Sequence, residues 1–153
     1  MTNNDILRSL RYTFDFSDDK MITLFGLGGK TVTRAEVSDW LKREDDPDYK
    51  GIYDKELAYF LNGLIIDRRG KREGDEPVAE KTLTNNMVLR KLKIALDMKD
   101  DEILEILSSV NVQISKHEIS AFFRKPTQPQ YRLLKDQILR NFLRGLQIKF
   151  RPN

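Results

Sequence analysis

The fold is decided by an eight-residue pattern, Leu-x-x-Phe-Leu-x-Gly-Leu, that the chain contains twice. Residues 57–64 read Leu-Ala-Tyr-Phe-Leu-Asn-Gly-Leu, and residues 139–146 read Leu-Arg-Asn-Phe-Leu-Arg-Gly-Leu. The same offset, without a gap, places Thr2-Asn3-Asn4 on Thr84-Asn85-Asn86 and Asp18-Asp19 on Asp100-Asp101. Because self-similarity at a fixed offset is the signature of a repeat architecture, the chain is interpreted as two copies of a unit of about 70 residues.

Length and composition limit how these copies can fold. The 153 residues are 39% hydrophobic and 33% charged, which is typical of a globular protein. Each copy is near the lower size limit for burying a useful core alone. We therefore expect two helical repeats, residues 1–70 and 84–153, that share one core about a pseudo-twofold axis. The polar, Gly- and Pro-containing stretch 71–83 is predicted to be the linker between them.

Each copy is predicted to form four helices. In the first copy, the first helix covers about residues 4–15 and the second runs from Asp18 to the glycines at 26–29. The third begins at Thr33, and the fourth covers about residues 54–69. In the second copy the corresponding helices begin near Asn86, Asp100 and Ser115, and the last covers 136–150. The pieces 30–32 and 110–114 resemble strands but are too short to build a sheet. The predicted fold class is all-α, with two tandem four-helix repeats forming one helical unit.

Side-chain chemistry at the helix ends supports these boundaries. Thr33 with Glu36, and Ser115 with Glu118, have the spacing of a capping box. Asn3 or Asn4 is predicted to cap the first helix. The Asp pairs at 18–19 and 100–101 place negative charge at the positive ends of helix dipoles, so we interpret them as helix-start residues and not as metal ligands.

Glycine recurs inside the fourth helix of both copies, at Gly63 and Gly145. A glycine inside a helix costs about 1 kcal/mol relative to alanine, so something must require the missing side chain. We expect the close approach of another helix backbone, with the two fourth helices crossing near the pseudo-twofold axis. A ligand that approaches the backbone at this point is the alternative.

Several kinds of chemistry are excluded by what the sequence lacks. There is no cysteine, and His117 is the single histidine. Thiolate catalysis, zinc–thiolate sites, His-rich metal sites and serine–histidine triads are therefore not expected. No cofactor and no enzymatic activity are predicted. No secretory signal and no apolar run of about 20 residues is visible, so we expect a cytoplasmic protein without membrane contact.

Charge is uneven between the copies, and this raises a nucleic-acid alternative. Residues 1–82 carry 14 basic and 17 acidic side chains, whereas residues 83–153 carry 13 and 7. The second and third helices of the second copy are similar to a helix-turn-helix, and residues 115–126 resemble the recognition-helix region of phage-repressor-like and CUT-type DNA-binding domains. The candidate nucleic-acid contacts are Lys116, His117, Ser120, Arg124, Lys125, Arg90, Lys91, Lys93 and Arg132.

Taken over nearly its whole length, the chain resembles the YehS family of small bacterial cytosolic proteins. The resemblance is carried by residues 3–12, 60–65 and 68–71 in the first half, and by 85–96 and 142–146 in the second. It implies a duplicated, all-helical domain with no established activity or site to carry over.

These observations favour a non-enzymatic helical protein that binds a macromolecular partner, most simply another protein. Double-stranded DNA binding by the second copy is the alternative, and a homodimer stays open. A protein partner predicts an exposed apolar patch with Tyr, Trp or Arg near its centre. DNA binding predicts that the basic residues gather on one face.

Overall fold

The protein is described by a computed structural model that covers residues 1–71, 74 and 77–152. Within these residues the chain forms eight helices and no strand. The helices are α1 (Asn3–Phe14), α2 (Asp18–Leu27), α3 (Arg34–Leu41), α4 (Asp54–Arg69), α5 (Asn85–Ala95), α6 (Asp100–Ser108), α7 (Lys116–Phe122) and α8 (Asp136–Phe150). The predicted all-α fold with two tandem repeats is confirmed. The predicted shared core and pseudo-twofold axis stay predictions.

The chain divides into two compact units, Met1–Leu83 and Thr84–Asn153. Each unit contains four helices, and its longest internal loop joins the third helix to the fourth, over residues 42–53 in the first unit and 123–135 in the second. Residues 77–83, which lie in the predicted linker 71–83, belong to the first unit. Residues 72, 73, 75 and 76 of that linker lie outside the described residues.

Local sequence determines most of the helix starts. Both predicted capping boxes are present, with the hydroxyls of Thr33 and Ser115 accepting from the backbone N–H groups of Glu36 and Glu118. The predicted N-cap of α1 is wrong. Thr2 caps α1 and Thr84 caps α5, because in each copy a hydroxyl one residue earlier reaches the first-turn N–H.

The asparagines that follow these caps form hydrogen bonds with residues far away in the chain instead. Asn4 is 1% exposed; its amide nitrogen donates to the carbonyls of Trp40 at 2.9 Å and Lys50 at 2.8 Å, and its oxygen accepts from Ile52 N at 3.0 Å. A single side chain thereby joins α1 to the end of α3 and to the residues before α4. We call this arrangement the asparagine clamp.

The second unit repeats the clamp atom for atom. Asn86 donates to the carbonyls of Phe122 at 3.1 Å and Arg132 at 2.7 Å, and accepts from Leu134 N at 2.9 Å. The preceding Asn85 donates to Asp136 Oδ1 at 2.7 Å, and this hydrogen bond lowers the pKa of the Asp136 carboxyl. A duplicated, three-bonded amide is therefore the polar centre of each repeat.

Two glycines let α2 and α4 touch backbone to backbone in the first unit. A Cβ built on Gly63 would lie 1.7 Å from Leu24 O, and one built on Gly28 would lie 1.8 Å from Tyr59 O. The expected close approach at Gly63 is confirmed. The expected partner is wrong, because the approaching backbone is α2 of the same unit and not the fourth helix of the other copy.

The corresponding crossing in the second unit is looser. A Cβ on Gly145 would meet Ile106 Cγ2 at 2.5 Å and Ile106 O at 2.7 Å. Val110 stands where the first unit has Gly28, and its side chain is buried. The larger residue at this position is compatible only with a wider separation of the two helices, so the repeats differ at their helix crossings.

The first unit contains the single tryptophan of the chain. Trp40 of α3 is buried, and its ring lies 5.3 Å from that of Phe25, which in turn lies 5.3 Å from the ring of Phe60. These aromatic rings join α2, α3 and α4 into one core. Tryptophan fluorescence therefore reports the folding state of the first unit.

A buried hydroxyl in α1 gives a first testable prediction. Thr13 is 2% exposed, and its hydroxyl has no hydrogen-bond partner among the described residues. Thr13→Val exchanges that hydroxyl for a methyl group of similar size, so we expect it to stabilise the first unit by about 1 kcal/mol. Urea unfolding followed by Trp40 fluorescence measures the change. Thr13→Ser keeps the hydroxyl and loses the methyl group, and it should lower stability.

Candidate functional site

Three of the predicted nucleic-acid contacts belong to the framework of the repeat. Lys93 pairs with Asp100 at 2.7 Å, and Lys116 pairs with Asp101 at 3.3 Å. Arg90 donates to the carbonyl of Phe123. The first unit makes two of these contacts at the corresponding positions, where Arg11 pairs with Asp18 and Arg34 pairs with Asp19. Arg8 makes a similar contact, but its acceptor is the carbonyl of Lys42, one residue beyond the counterpart of Phe123. Contacts that recur in both units are best explained as interactions that stabilise the fold of the repeat.

Arg124 and Arg132 differ from their first-unit counterparts. In the first unit Lys42 and Lys50 both contact the Asp39 carboxylate, at 2.9 and 3.6 Å, and the hydrogen bond from Lys42 lowers the pKa of Asp39. The second unit has Ala121 at the position of Asp39. Arg132 pairs instead with Glu118 at 3.4 Å, and Arg124 is exposed. The second unit has therefore lost the carboxylate that neutralises this pair of cations.

The other predicted contact residues surround the same loop and helix. Lys125 follows Arg124 and is exposed. His117 is exposed in the first turn of α7, whereas Ser120 and Lys91 are half-buried. The turn between α6 and α7 spans residues 109–115, which is longer than the three or four residues usual in a helix-turn-helix. α7 itself has seven residues.

A groove in the first unit was not predicted. Its volume is about 790 Å³, within the range of ligand and peptide sites. It is lined by the end of α2 (residues 26–29) and the α4 residues Tyr59 and Ile66, which we call the floor, and by residues 77–81, which we call the wall. Leu27 is 40% exposed and Val78 is 83% exposed. The groove thus exposes two apolar side chains and has a tyrosine in its floor.

Glycines shape the floor of the groove. A Cβ on Gly26 would meet nothing within 4 Å, so the space above this residue is open. Gly29 has φ of +107°, and a Cβ there would lie 3.6 Å from the Tyr59 ring. The second unit has Ser108, Ser109, Val110 and Asn111 at the four positions of this stretch. The floor is therefore a feature of the first repeat.

Basic side chains surround the apolar floor. Lys55, Lys71 and Lys81 line the groove, against one described acidic residue, Glu80. Lys55 Nζ lies 6.0 Å from the centre of the Tyr59 ring. The wall at 77–81 is neither helix nor strand. Within the described part of the chain, the backbone N–H groups of Val78, Ala79 and Lys81 have no acceptor.

Sequence reasoning missed the groove because its two sides are distant in the chain. The glycine stretch was interpreted as a helix stop and the polar stretch as a linker. The difference between Gly26–Gly29 and Ser108–Asn111 was the available signal, because the two repeats differ in glycine content at this stretch. Over the described residues, no group of three or more His, Asp or Glu side chains is placed to hold a metal ion, and no helix is long and apolar enough to cross a bilayer.

Comparison with known proteins agrees with this duplicated architecture. The family model described as "Protein of unknown function (DUF1456)" matches twice, over residues 3–70 and 85–151. The chain belongs to the DUF1456 family. The second DUF1456 match begins at residue 85, next to the boundary between the structural units, and the first ends at residue 70, inside the first unit.

One curated relative is similar to this DUF1456 chain over almost its full length. It is "Uncharacterized protein YehS" of Escherichia coli (strain K12), which is 40% identical over 147 residues, or 95% of this chain and 94% of that protein. The resemblance to the YehS family is thereby confirmed. No solved structure matches the chain.

Proposed function

We propose that this protein is a non-enzymatic binding protein whose first unit holds a segment of a protein partner in the groove between α2, α4 and residues 77–81. The single observation that carries the proposal is the exposed apolar floor with Tyr59 within it and lysines around it. Interface centres are enriched in tyrosine and surrounded by polar residues, which is the arrangement found here. The absence of this floor from the second repeat supports a role beyond folding.

Site-specific photo-crosslinking tests this proposal. A benzophenone amino acid is placed at Val78 in the groove or, as a control, at Leu133, which is 61% exposed in the second unit. We expect illumination of cells to give a discrete protein adduct from position 78 and none from position 133. The captured protein, once identified and purified, should bind wild type in solution. It should bind Gly26→Phe at least about tenfold more weakly, because the new ring occupies the open space above Gly26. Equal capture at both positions, or unchanged binding by Gly26→Phe, would contradict the proposal.

Double-stranded DNA binding by the second unit is a second candidate. One specific observation favours it: Arg124 and Arg132 lack the carboxylate that Asp39 supplies to Lys42 and Lys50. Lys125 adds a further exposed cation next to Arg124. Against this, Lys93 and Lys116 are paired with carboxylates as part of the repeat framework. The geometry therefore supports the groove better.

Fluorescence anisotropy with mixed-sequence duplex DNA, titrated across salt, tests this second candidate. DNA binding predicts that log K falls linearly with log salt, and that Arg124→Ala/Arg132→Ala reduces the slope by about 2, one for each lost phosphate contact. The matched control is Lys42→Ala/Lys50→Ala in the first unit, which should leave the slope unchanged. If the wild type does not bind DNA at about 50 mM salt, this candidate fails.

A further inference from the structure

The loop between α7 and α8 has the cations of its first-unit counterpart without the carboxylates that neutralise them. We propose that this loop binds a phosphate group between the guanidinium groups of Arg124 and Arg132, at the place that the Asp39 carboxylate occupies in the first unit. This site goes beyond the proposed function and does not depend on it, because every residue that carries it belongs to the second unit.

The two loops have equivalent backbone hydrogen bonds, so their side chains start from equivalent positions. The N–H groups of Arg124 and Arg132 both donate to the carbonyl of Ala121, at 3.4 and 3.2 Å. In the first unit the equivalent two hydrogen bonds end on the carbonyl of Asp39. The lysines at those two positions reach the Asp39 carboxylate at 2.9 and 3.6 Å. Arginine is longer than lysine, so both guanidinium groups are long enough to reach the same place, where the second unit has only a methyl group.

The second loop lacks every acidic side chain of the first. Residues 39–50 contain three basic and five acidic side chains, whereas residues 121–132 contain three basic and no acidic ones. In the first unit the carboxylates of Asp39 and Asp48 lie 2.9 and 3.8 Å from the Lys42 ammonium group. The second unit has alanine and glutamine at the positions of these two acids. An anion from outside the chain can therefore take the place of the carboxylates.

The remaining contacts of the cations neutralise only part of their charge. Arg132 pairs with Glu118 at 3.4 Å. The side chains of Arg124 and Lys125 are exposed and have no hydrogen-bond or ion-pair partner in the described part of the chain. Arg90 donates to the carbonyl of the residue before Arg124, so its guanidinium lies beside the loop. Among these contacts one carboxylate accompanies four cations, and the excess positive charge favours a dianion.

The kind of cation favours phosphate over other anions. A guanidinium presents a planar fork of N–H donors that matches two oxygens of a phosphate, whereas an ammonium group is a point charge. Both positions have lysine in the first unit and arginine in the second, Arg124 and Arg132. A phosphate dianion can accept from both forks at once with different oxygens. A single carboxylate has two oxygens and one charge, so it satisfies the pair less well.

Titration of the ¹⁵N-labelled protein with inorganic phosphate, followed by two-dimensional NMR at constant ionic strength, tests the site. We expect the amide signals of residues 121–132, and the Nε–H signals of Arg124 and Arg132, to shift and saturate with a dissociation constant of about 1 mM or below. The equivalent loop 39–50 is the control within the same sample and should not respond. Shifts that stay linear up to about 10 mM, or equal shifts in both loops, would overturn the proposal.

Substitutions test whether the two arginines hold the phosphate. Arg124→Gln/Arg132→Gln should weaken binding at least about tenfold, whereas the matched Lys42→Gln/Lys50→Gln in the first unit should change it less than about twofold. Ala121→Asp restores the carboxylate of the first unit and should also weaken binding at least about tenfold. Ala121→Asn adds similar bulk without charge and should weaken it less. Circular dichroism establishes that each variant is folded, and unchanged affinity in either the arginine variant or Ala121→Asp would contradict the site.

Other ligands identify the source of the phosphate and separate this inference from the functions proposed above. Ethyl phosphate that binds as tightly as inorganic phosphate indicates a phosphate ester, and weaker binding indicates the free ion; both results support the site. Acetate that binds as tightly as phosphate would overturn it. If duplex DNA binds but neither phosphate compound shifts residues 121–132, the inference fails and the DNA candidate remains. Gly26→Phe should leave phosphate binding unchanged, so the groove and this site succeed or fail separately.

Discussion

Gly63→Ala is expected to destabilise the first unit by at least about 3 kcal/mol, since overpacking at a backbone contact has no flexible group that can yield. The new Cβ would lie 1.7 Å from Leu24 O and 3.1 Å from Gly28 N. Both are backbone atoms, so α2 and α4 must separate. The separation would loosen the packing of Phe25 against Phe60 and of the fully buried residues beside them. The gain in helix propensity, about 1 kcal/mol, offsets only part of this cost.

Urea unfolding followed by Trp40 fluorescence measures the loss in the first unit. Gly26→Ala is the matched control in α2: it adds the same methyl group where nothing lies within 4 Å, and it should stabilise by up to about 1 kcal/mol. Gly145→Ala should cost less than Gly63→Ala, because its nearest neighbour is a methyl group of the Ile106 side chain. Circular dichroism follows that variant. If Gly63→Ala unfolds at the same urea concentration as wild type, the close backbone contact is wrong.

Asn4→Ala is expected to cost about 3 kcal/mol, because it leaves three backbone groups at the end of α3 and in the loop before α4 without their partner. Those groups are the carbonyls of Trp40 and Lys50 and the N–H of Ile52. The neighbouring Asn3→Ala is the control. The Asn3 amide donates to Ile52 O and Asp54 Oδ1, but Asn3 is half-buried, so water can replace these contacts and the loss should be smaller. Urea unfolding by Trp40 fluorescence measures both, and equal losses would argue against the clamp.

Asn4→Asp tests the same contacts through pH. The oxygen that replaces the amide nitrogen would face two carbonyls, so the folded state favours the protonated acid and raises the pKa of the new carboxyl above its unfolded value of about 3.9. The folded state then binds more protons than the unfolded state. Stability of this variant relative to wild type is therefore highest below about pH 4 and falls as pH rises through the folded pKa. A relative stability that rises with pH would contradict the clamp.

Features set by local chemistry could be predicted from the sequence. The bounds of α4 and α8 and both capping boxes follow from contacts within four residues along the chain. Asn111, in the turn after α6, has φ of 64°, a left-handed conformation that asparagine tolerates. These features need no knowledge of the tertiary structure.

Features that depend on distant partners could not be predicted. An asparagine at a helix start serves equally as a cap or as a long-range clamp, and only the position of residues 50–52 distinguishes the two for Asn4. The repeated Asn-Asn pair was a usable clue, since one helix start needs one cap. Gly63 indicates that another group approaches its backbone closely, but the sequence does not show which residue that is. The sequence shows which of the candidate nucleic-acid residues are cations. It does not show that Lys93 and Lys116 pair with carboxylates, because those pairs form between helices that only the fold brings together.

The asparagine clamp also has a consequence for synthesis. Asn4 finds its two acceptors and its donor only when residues 40–52 have been added, up to 48 positions later. At about 5–20 residues per second, α1 therefore waits roughly 2–10 s on the ribosome with its amide facing water. The hydrogen bonds of that clamp all lie before residue 84, where the second repeat begins. The first repeat can thus complete its own polar centre while the ribosome is still adding the second.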